Sequence, residues 1–256
     1  MSLFRRQPAR RAMSVESVVN EPDIIKQWNA LANIKDPELQ FQLAQQPQWE
    51  IRNSLAKFNR QLTPEVQRIL ASDKHSYVRS NLAKHTAVPE VQSMLAKDRS
   101  SEVRLSLSGN PQLIEEAQVL LAQDQSRYVR RGLALQGNNL DGKVVEMLLK
   151  DKDSDVRWAL AHSQNITDPG LLKALVQDRS SKVRIRVVER LGSLDQGLAT
   201  ELHALLEKDP APEVRGALEY EDRYSRTMAE LPKVMKRLRR DAYKGAIMRS
   251  IRGSPV

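Results

Sequence analysis

Apolar residues recur along this chain in a unit of about 26 residues. A Leu lies three residues before an Asp, a Val lies five residues after that Asp, and another apolar residue follows four residues later. The unit that contains Leu70, Asp73, Val78 and Leu82 is typical. Because residues at these separations share one helical face, each unit predicts a short helix, a turn at the Asp and a second helix.

The motif Asp-x4-Val-Arg marks these units and occurs six times. Its Asp and Arg residues are Asp73 and Arg79, Asp98 and Arg104, Asp124 and Arg130, Asp151 and Arg157, Asp178 and Arg184, and Asp209 and Arg215. A seventh copy, Ile51-Arg52, has Gln46 in place of the Asp. Successive Val positions, with Ile51 as the first, are 27, 25, 26, 27, 27 and 31 residues apart. Such a period predicts stacked repeats that bury their apolar faces against one another.

Helix starts and stops are marked in several units. Thr63-Pro64-Glu65 combines an N-cap hydroxyl, a Pro at the first helical position and an acid in the first turn. Similar starts occur at Asp36-Pro37, Val88-Pro89 and Asp168-Pro169. Asn59 and Gly109 follow second helices, where they predict left-handed C-terminal caps. Trp28 and Leu31 indicate a degenerate first unit that acts as an N-terminal cap.

The pattern Asp-x4-Val-Arg-x2-Leu-Ala, followed by Asn or His, Pro and a Leu pair, resembles the leucine-rich repeat variant family and, more loosely, the HEAT-like α-solenoids. The resemblance covers about 180 residues. It implies an all-α fold, a right-handed α-solenoid of about seven two-helix repeats of 25–27 residues, with a 3₁₀-helix in some units. The first-described family member carries an iron–sulfur cluster with Cys ligands. This chain has no Cys, so that feature is not carried over and no cofactor is predicted.

Positive charge concentrates at the two ends of the chain. The net charge is +9, and residues 1–12 and 233–252 together carry +11, so the remaining chain carries −2. We predict a basic, disordered arm at residues 1–22, a solenoid with its N-terminal cap at 23–225, and a basic amphipathic helix and tail at 226–256. The start lacks the apolar region of a secretory signal, although an acid-free, Arg-containing start would also suit a mitochondrial presequence. We expect a cytoplasmic protein without a transmembrane segment.

The regular row of Arg residues allows two interpretations. The guanidiniums could follow a phosphate backbone. Alternatively, each Arg could pair with the Asp six residues before it or with the Asp of a neighbouring repeat, because a guanidinium fork suits a partly buried carboxylate. The constant pairing of the two residue types favours the structural interpretation.

Basic residues outside this row would be better evidence for an anionic partner. They occur late in the array at Arg127, Arg131, Lys182, Arg186 and Arg190, with Asp153, Asp155 and Glu189 among them. Further candidates lie in the C-terminal segment at Lys233, Lys236, Arg237, Arg239, Arg240 and Lys244. That segment would cap the last repeat, or it would serve as a tail for anionic polymers, a membrane-surface helix or a docking peptide.

No catalytic or metal-binding motif is recognisable, and we predict that the protein is not an enzyme. Residues 151–155 begin like a calcium loop but lack the Gly and Glu that such a loop needs, and the four His residues lack ligand spacing. Asp155 and Trp158, one helical turn apart beside Arg157, are similar to the Asp and aromatic residues of HEAT-like DNA glycosylases. No glycosylase motif accompanies them, so packing between repeats or contact with a partner is a better explanation of Trp158 than a role in DNA repair.

The predicted function is a non-enzymatic scaffold that binds a protein partner on the solenoid surface. The alternative is a nucleic-acid-binding HEAT-like protein that uses the basic termini and the late-repeat Arg and Lys residues. Charge on the concave face distinguishes the two, because mixed signs favour a protein partner and a uniformly basic face favours DNA or RNA.

Overall fold

A computed structural model describes residues 13–136, 140–164, 166–230 and 232 of this chain, and these residues form helices and no strands. The helices are α1 Val15–Val19, α2 Ile24–Asn33, α3 Pro37–Ala44, α4 Trp49–Phe58, α5 Pro64–Ala71, α6 Ser76–Ala83, α7 Pro89–Ala96, α8 Ser101–Ser108, α9 Glu115–Ala122, α10 Arg127–Gln136, α11 Gly142–Leu149, α12 Ser154–His162, α13 Pro169–Val176, α14 Ser181–Val188 and α15 Gln196–Leu206. Residues 212–230 form α16.

From α3 onward the helices alternate as the first and second members of seven pairs, which confirms the predicted all-α solenoid. Both members of each pair are α-helices, and the 3₁₀ turn at Leu191–Ser193 lies in the connection before α15. The chain divides into two compact units, residues 1–163 and 164–256. In the first unit, the second helices α4, α6, α8, α10 and α12 pack more closely against one another than the first helices do. The second helices therefore lie on the inner side of this unit.

The apolar ladder predicted from the sequence forms the core. Its three rows are almost fully buried: Leu43, Leu70, Leu95, Leu121, Leu148, Leu175 and Leu206; Ile51, Val78, Val103, Val129, Val156, Val183 and Val214; and Leu55, Leu82, Leu107, Leu133, Leu160, Val187 and Leu218. Full burial of one such side chain contributes about 1.5–3 kcal/mol. Because this burial is completed by neighbouring pairs, stability grows by repeat.

Local capping explains about half of the helix starts in the described residues. Thr63 accepts a hydrogen bond from the Val66 N–H, and Asp36 and Asp168 cap α3 and α13 in the same way. The predicted left-handed caps are wrong at Asn59 and Gly109, whose φ angles are −82° and −86°. The Asn59 side chain instead donates hydrogen bonds to the carbonyls of Leu31 and Ile34. These bonds join the loop after α4 to the C-terminal end of α2.

The ends of the array differ from the predicted boundaries. Helix α1 lies inside the arm predicted for residues 1–22, because Ser14 and Ser17 form a capping box and Val18 is buried. The predicted boundary at residue 225 falls within α16. Residues 1–12 and 233–256 lie outside the described residues, so the roles predicted for these two segments stay predictions.

Candidate functional site

Five of the ladder Arg residues link their own repeat to the next one. The Arg79 Nε lies 2.6 Å from Asp98 Oδ2 and its Nη2 lies 2.8 Å from Asp98 Oδ1, while its Nη1 donates to the Asp73 carbonyl. The same two-pronged contact joins Arg52 to Asp73, Arg104 to Asp124, Arg130 to Asp151 and Arg184 to Asp209. In these five pairs the carboxylate belongs to the following repeat and not to the Asp six residues earlier.

The ladder Asp also fixes the start of the second helix. The Asp98 carboxylate accepts the Ser100 N–H at 2.8 Å, and Asp73 accepts the His75 N–H in the same way. This double role explains Gln46 in the first repeat. Helix α2 contains no Arg that could pair with an Asp at that position.

In the pairs that contain Asp73, Asp98 and Asp209, the carboxyl pKa is lowered and the pKa of the Arg partner is raised. Hydrogen bonds from Arg184 and from the Ala211 N–H lower the pKa of Asp209 and outweigh desolvation. Burial raises the pKa of Asp98, but hydrogen bonds from Arg79 and the Ser100 N–H outweigh it, and the net pKa is lowered. The hydrogen bond to Asp98 in turn raises the pKa of Arg79. These guanidiniums are buried against carboxylates of the protein, so they join repeats and do not face a ligand.

A ladder of Gln residues on the first helices is a second inter-repeat contact, which sequence analysis missed. The Gln92 Nε2 donates to the carbonyls of Thr86 and Gln112, and its Oε1 accepts the Ile114 N–H. Gln40 makes the equivalent three contacts. Its Nε2 donates to the carbonyls of Ile34 and Gln61, and its Oε1 accepts the Thr63 N–H. The signal was present in the sequence, because Gln40, Gln67, Gln92 and Gln118 recur in step with the repeat Val.

Arg190 corrects the sequence interpretation of late basic residues. It was a candidate for contact with an anionic partner, but it is only 1% exposed and its Nη2 donates to the Ile166 carbonyl at 2.7 Å. It lies seven residues after the repeat Val, as does Asn110, which donates to the Thr86 carbonyl. Burial lowers the pKa of Arg190. It is a structural residue.

The other late basic residues are closer to the surface. Arg186 pairs with Glu189, and Lys182 is exposed. Arg127 lies 3.6 Å from Asp153 and 5.0 Å from the centre of the Tyr128 ring. Arg131 lies 5.8 Å from the centre of the Trp158 ring, which stacks on His162. The C-terminal candidates Lys233, Lys236, Arg237, Arg239, Arg240 and Lys244 lie outside the described residues.

The inner side of the first unit carries the second-helix face, which we define as the side chains of α4, α6, α8, α10 and α12 that point away from the core. The residues immediately before the repeat Val alternate between acids and tyrosines: Glu50, Tyr77, Glu102, Tyr128 and Asp155. Tyr77 and Tyr128 are each 57% exposed, and Leu105 is 41% exposed. At the other end of α4 and α6 the face carries Lys57 and Lys84. The face therefore has both signs of charge and exposed aromatic rings.

Hydrogen bonds across α4 and α6 organise the middle of this face. The Asn81 Nδ2 donates to Asn53 Oδ1 at 2.9 Å, and Lys84 donates to Asn81 Oδ1 at 3.0 Å. On the acidic edge, the Trp49 ring stacks on His75 and lies 6.1 Å from the Tyr77 ring. Contacts between neighbouring repeats thus fix the positions of these polar and aromatic side chains.

The described residues also bear on metal binding and on membrane insertion. No group of three or more His, Asp or Glu side chains in this part of the chain is arranged to hold a metal ion. None of the described helices is both long and apolar enough to cross a membrane.

Comparison with solved structures identifies the fold. A leucine-rich repeat variant with a novel repetitive structural motif superposes with a TM-score of 0.51 and 22% sequence identity, over 80% of this chain and 78% of that one. This chain has the leucine-rich-repeat-variant fold. A computationally designed armadillo repeat protein for modular peptide recognition matches 80% of this chain and 95% of its own length at 12% identity, with a TM-score of 0.21. No family model matches the chain, and no curated protein matches it.

Proposed function

We propose that the protein is a non-enzymatic scaffold that binds a protein partner on the second-helix face of its first unit. The observation that carries this proposal is the mixed character of that face, with Glu50 and Glu102 at one edge and Lys57 and Lys84 at the other. A surface that follows a nucleic-acid backbone needs positive charge along its length. Exposed tyrosines with a central apolar residue, such as Tyr77 and Leu105, are typical of protein-binding surfaces.

The late basic residues give the nucleic-acid alternative little support. Arg190 is buried, Arg186 pairs with Glu189, and Arg127 lies within ion-pair distance of Asp153. What is left of that alternative depends on Arg131, on the exposed Lys182 and on the basic segments at the two ends of the chain.

Leu105 and Met94 provide a matched test of the proposal. They lie on the second and first helix of one repeat and are 41% and 43% exposed. A photo-reactive amino acid at position 105 should form covalent adducts with a partner protein in cell extract, and the same amino acid at position 94 should not. The adducts should persist after nuclease treatment. Equal labelling at both positions, or adducts that disappear with nuclease, would contradict the proposal.

A further inference from the structure

The part of the second-helix face built by α4, α6 and α8 has a regular cross-section. Glu50 and Lys57 lie seven residues apart on α4, and Tyr77 on α6 is equally far from Lys84, the C-cap residue of that helix. Seven residues are almost two helical turns, so each pair lies on one side of its helix with about 10 Å between its members. One edge is therefore acidic and aromatic, the other edge is basic, and the amides of Asn53 and Asn81 lie between them.

The carboxylates of the acidic edge are available for intermolecular contacts. In the described part of the chain, neither Glu50 nor Glu102 forms an ion pair, and both side chains are exposed. Tyr77 lies between them along the stack and offers an exposed ring. A carboxylate beside an aromatic ring attracts a Lys or Arg side chain through both charge and cation–π interaction.

The protein itself provides an example of this recognition on the same face. The Arg127 guanidinium lies 5.0 Å from the centre of the Tyr128 ring and 3.6 Å from Asp153. An incoming basic side chain would make the equivalent contacts with the Tyr77 ring and with Glu50 or Glu102.

The dimensions of the face suit one extended peptide backbone. Successive side chains of an extended chain point to opposite sides. Every second residue of the peptide would therefore reach the acidic edge, and the residues between them would reach the lysine edge. Neighbouring helices pack about 8–10 Å apart, which places Glu50 and Glu102 roughly 19 Å apart. Six residues of extended chain span about 20 Å and return the side chain to the same edge.

We propose that this part of the face binds an extended peptide segment in which basic and acidic residues alternate. The basic residues would contact Glu50, Tyr77 and Glu102, and the acidic residues would contact Lys57 and Lys84. The amides of Asn53 and Asn81 carry both donors and acceptors, as contact with a peptide backbone requires. This inference rests on the proposed function and specifies the chemistry of the partner.

Capped, fluorescently labelled peptides test this inference with the full chain. The first probe alternates Lys and Glu, the second has the same composition with all Lys before all Glu, and the third is oligolysine of the same length. Fluorescence anisotropy should show the tightest binding for the alternating peptide. This binding should weaken as salt is added, because the ion pairs are exposed.

Variants at each edge identify the contacts. Glu50→Gln with Glu102→Gln, and separately Lys57→Gln with Lys84→Gln, should each weaken binding of the alternating peptide about 2- to 30-fold, since two exposed ion pairs are lost. The control Glu65→Gln with Glu90→Gln removes the same charge from the exposed start of α5 and α7 and should leave the affinity unchanged. Circular dichroism should show that all three double variants keep the helical fold at the temperature of the binding measurement.

Several results would overturn this inference: no binding of the alternating peptide, equal binding of the block peptide or oligolysine, or unchanged affinity in both edge variants. These outcomes are distinguishable from failure of the proposed function. If position 105 still captures a protein partner while the peptides do not bind, the scaffold proposal stands and only the alternating-charge inference fails.

Discussion

At the scale of single residues, the two halves of the Asp-x4-Val-Arg motif serve different partners. The carboxylate of Asp98 binds the Arg of the preceding repeat, and the guanidinium of Arg104 binds the Asp of the following one. The sequence alone left two partners for each Arg, because a periodic motif places an Asp on both sides of it. Only the stacking of the repeats decides between them.

A double-mutant cycle tests this direction of pairing. Arg79→Ala and Asp98→Ala should each destabilise the protein by about 3–5 kcal/mol, because each leaves a buried charge without its partner. The two changes should be coupled by about 1–3 kcal/mol. Asp98→Ala and Arg104→Ala should add with little coupling, since Arg104 contacts only the backbone carbonyl of residue 98. Urea unfolding of the parent chain, the three single variants and the two double variants measures these free energies, and strong coupling between Asp98 and Arg104 would contradict the pairing.

The lowered pKa values of Asp73, Asp98 and Asp209 predict acid sensitivity. A carboxyl group with a pKa that is lower in the folded than in the unfolded state stabilises the fold above its unfolded value of about 3.9, and this contribution is lost as pH falls through the native pKa. The free energy of unfolding should therefore fall from about pH 4 downward. In Asp98→Asn this fall should be smaller. If the free energy of unfolding of Asp98→Asn fell with pH as steeply as that of the parent chain, Asp98 would not contribute to the acid sensitivity.

At the scale of helices, the sequence predicted the elements well and their contacts less well. The starts at Pro37, Pro64 and Pro89 are correct because capping and Pro geometry act locally. The Gln ladder and the burial of Arg190 were missed, because both depend on loops of adjacent repeats that approach one another only in the stack. The sequence predicted a binding surface on the solenoid but not the residues of the second-helix face, because it did not show which side chains of neighbouring repeats lie side by side.

Two helical glycines test how closely second helices must approach. A Cβ on Gly132 of α10 would lie 2.5 Å from Ser108 Oγ and 2.8 Å from Leu105 Cδ1 of α8, whereas a Cβ on Gly216 of α16 would meet nothing within 4 Å. Gly216→Ala should stabilise the protein by about 0.5–1 kcal/mol through helix propensity. Gly132→Ala should forfeit that gain and be about 1 kcal/mol or more less stable than Gly216→Ala, because Ser108 and Leu105 must move. Equal melting temperatures of the two variants would contradict close packing at Gly132.

At the scale of the whole chain, the net positive charge lies outside the repeat array. The described array lies in a stretch that carries −2, while residues 1–12 and 233–252 carry +4 and +7. The high isoelectric point of about 9.8 therefore belongs to the two ends and not to the repeat surface. This separation makes the contribution of the ends measurable by truncation.

Removal of residues 233–256, which carry +7 of the +11 at the two ends, should sharply weaken the nonspecific binding of DNA that these basic ends predict. Nonspecific affinity follows the number of phosphates that the protein neutralises, so the slope of log affinity against log salt should shrink as well. Melting of the same truncated chain distinguishes a segment that caps the array from one that binds an anionic ligand. If the segment caps the array, its loss uncovers the end of the last pair near α16, where Tyr220, Tyr224 and Met228 are already exposed, and the melting temperature should fall. If it serves only an anionic ligand, melting should be unchanged while DNA binding weakens. A truncated chain that melts normally and binds DNA as before would contradict both roles, and any DNA binding would then belong to residues 1–12 or to the repeats.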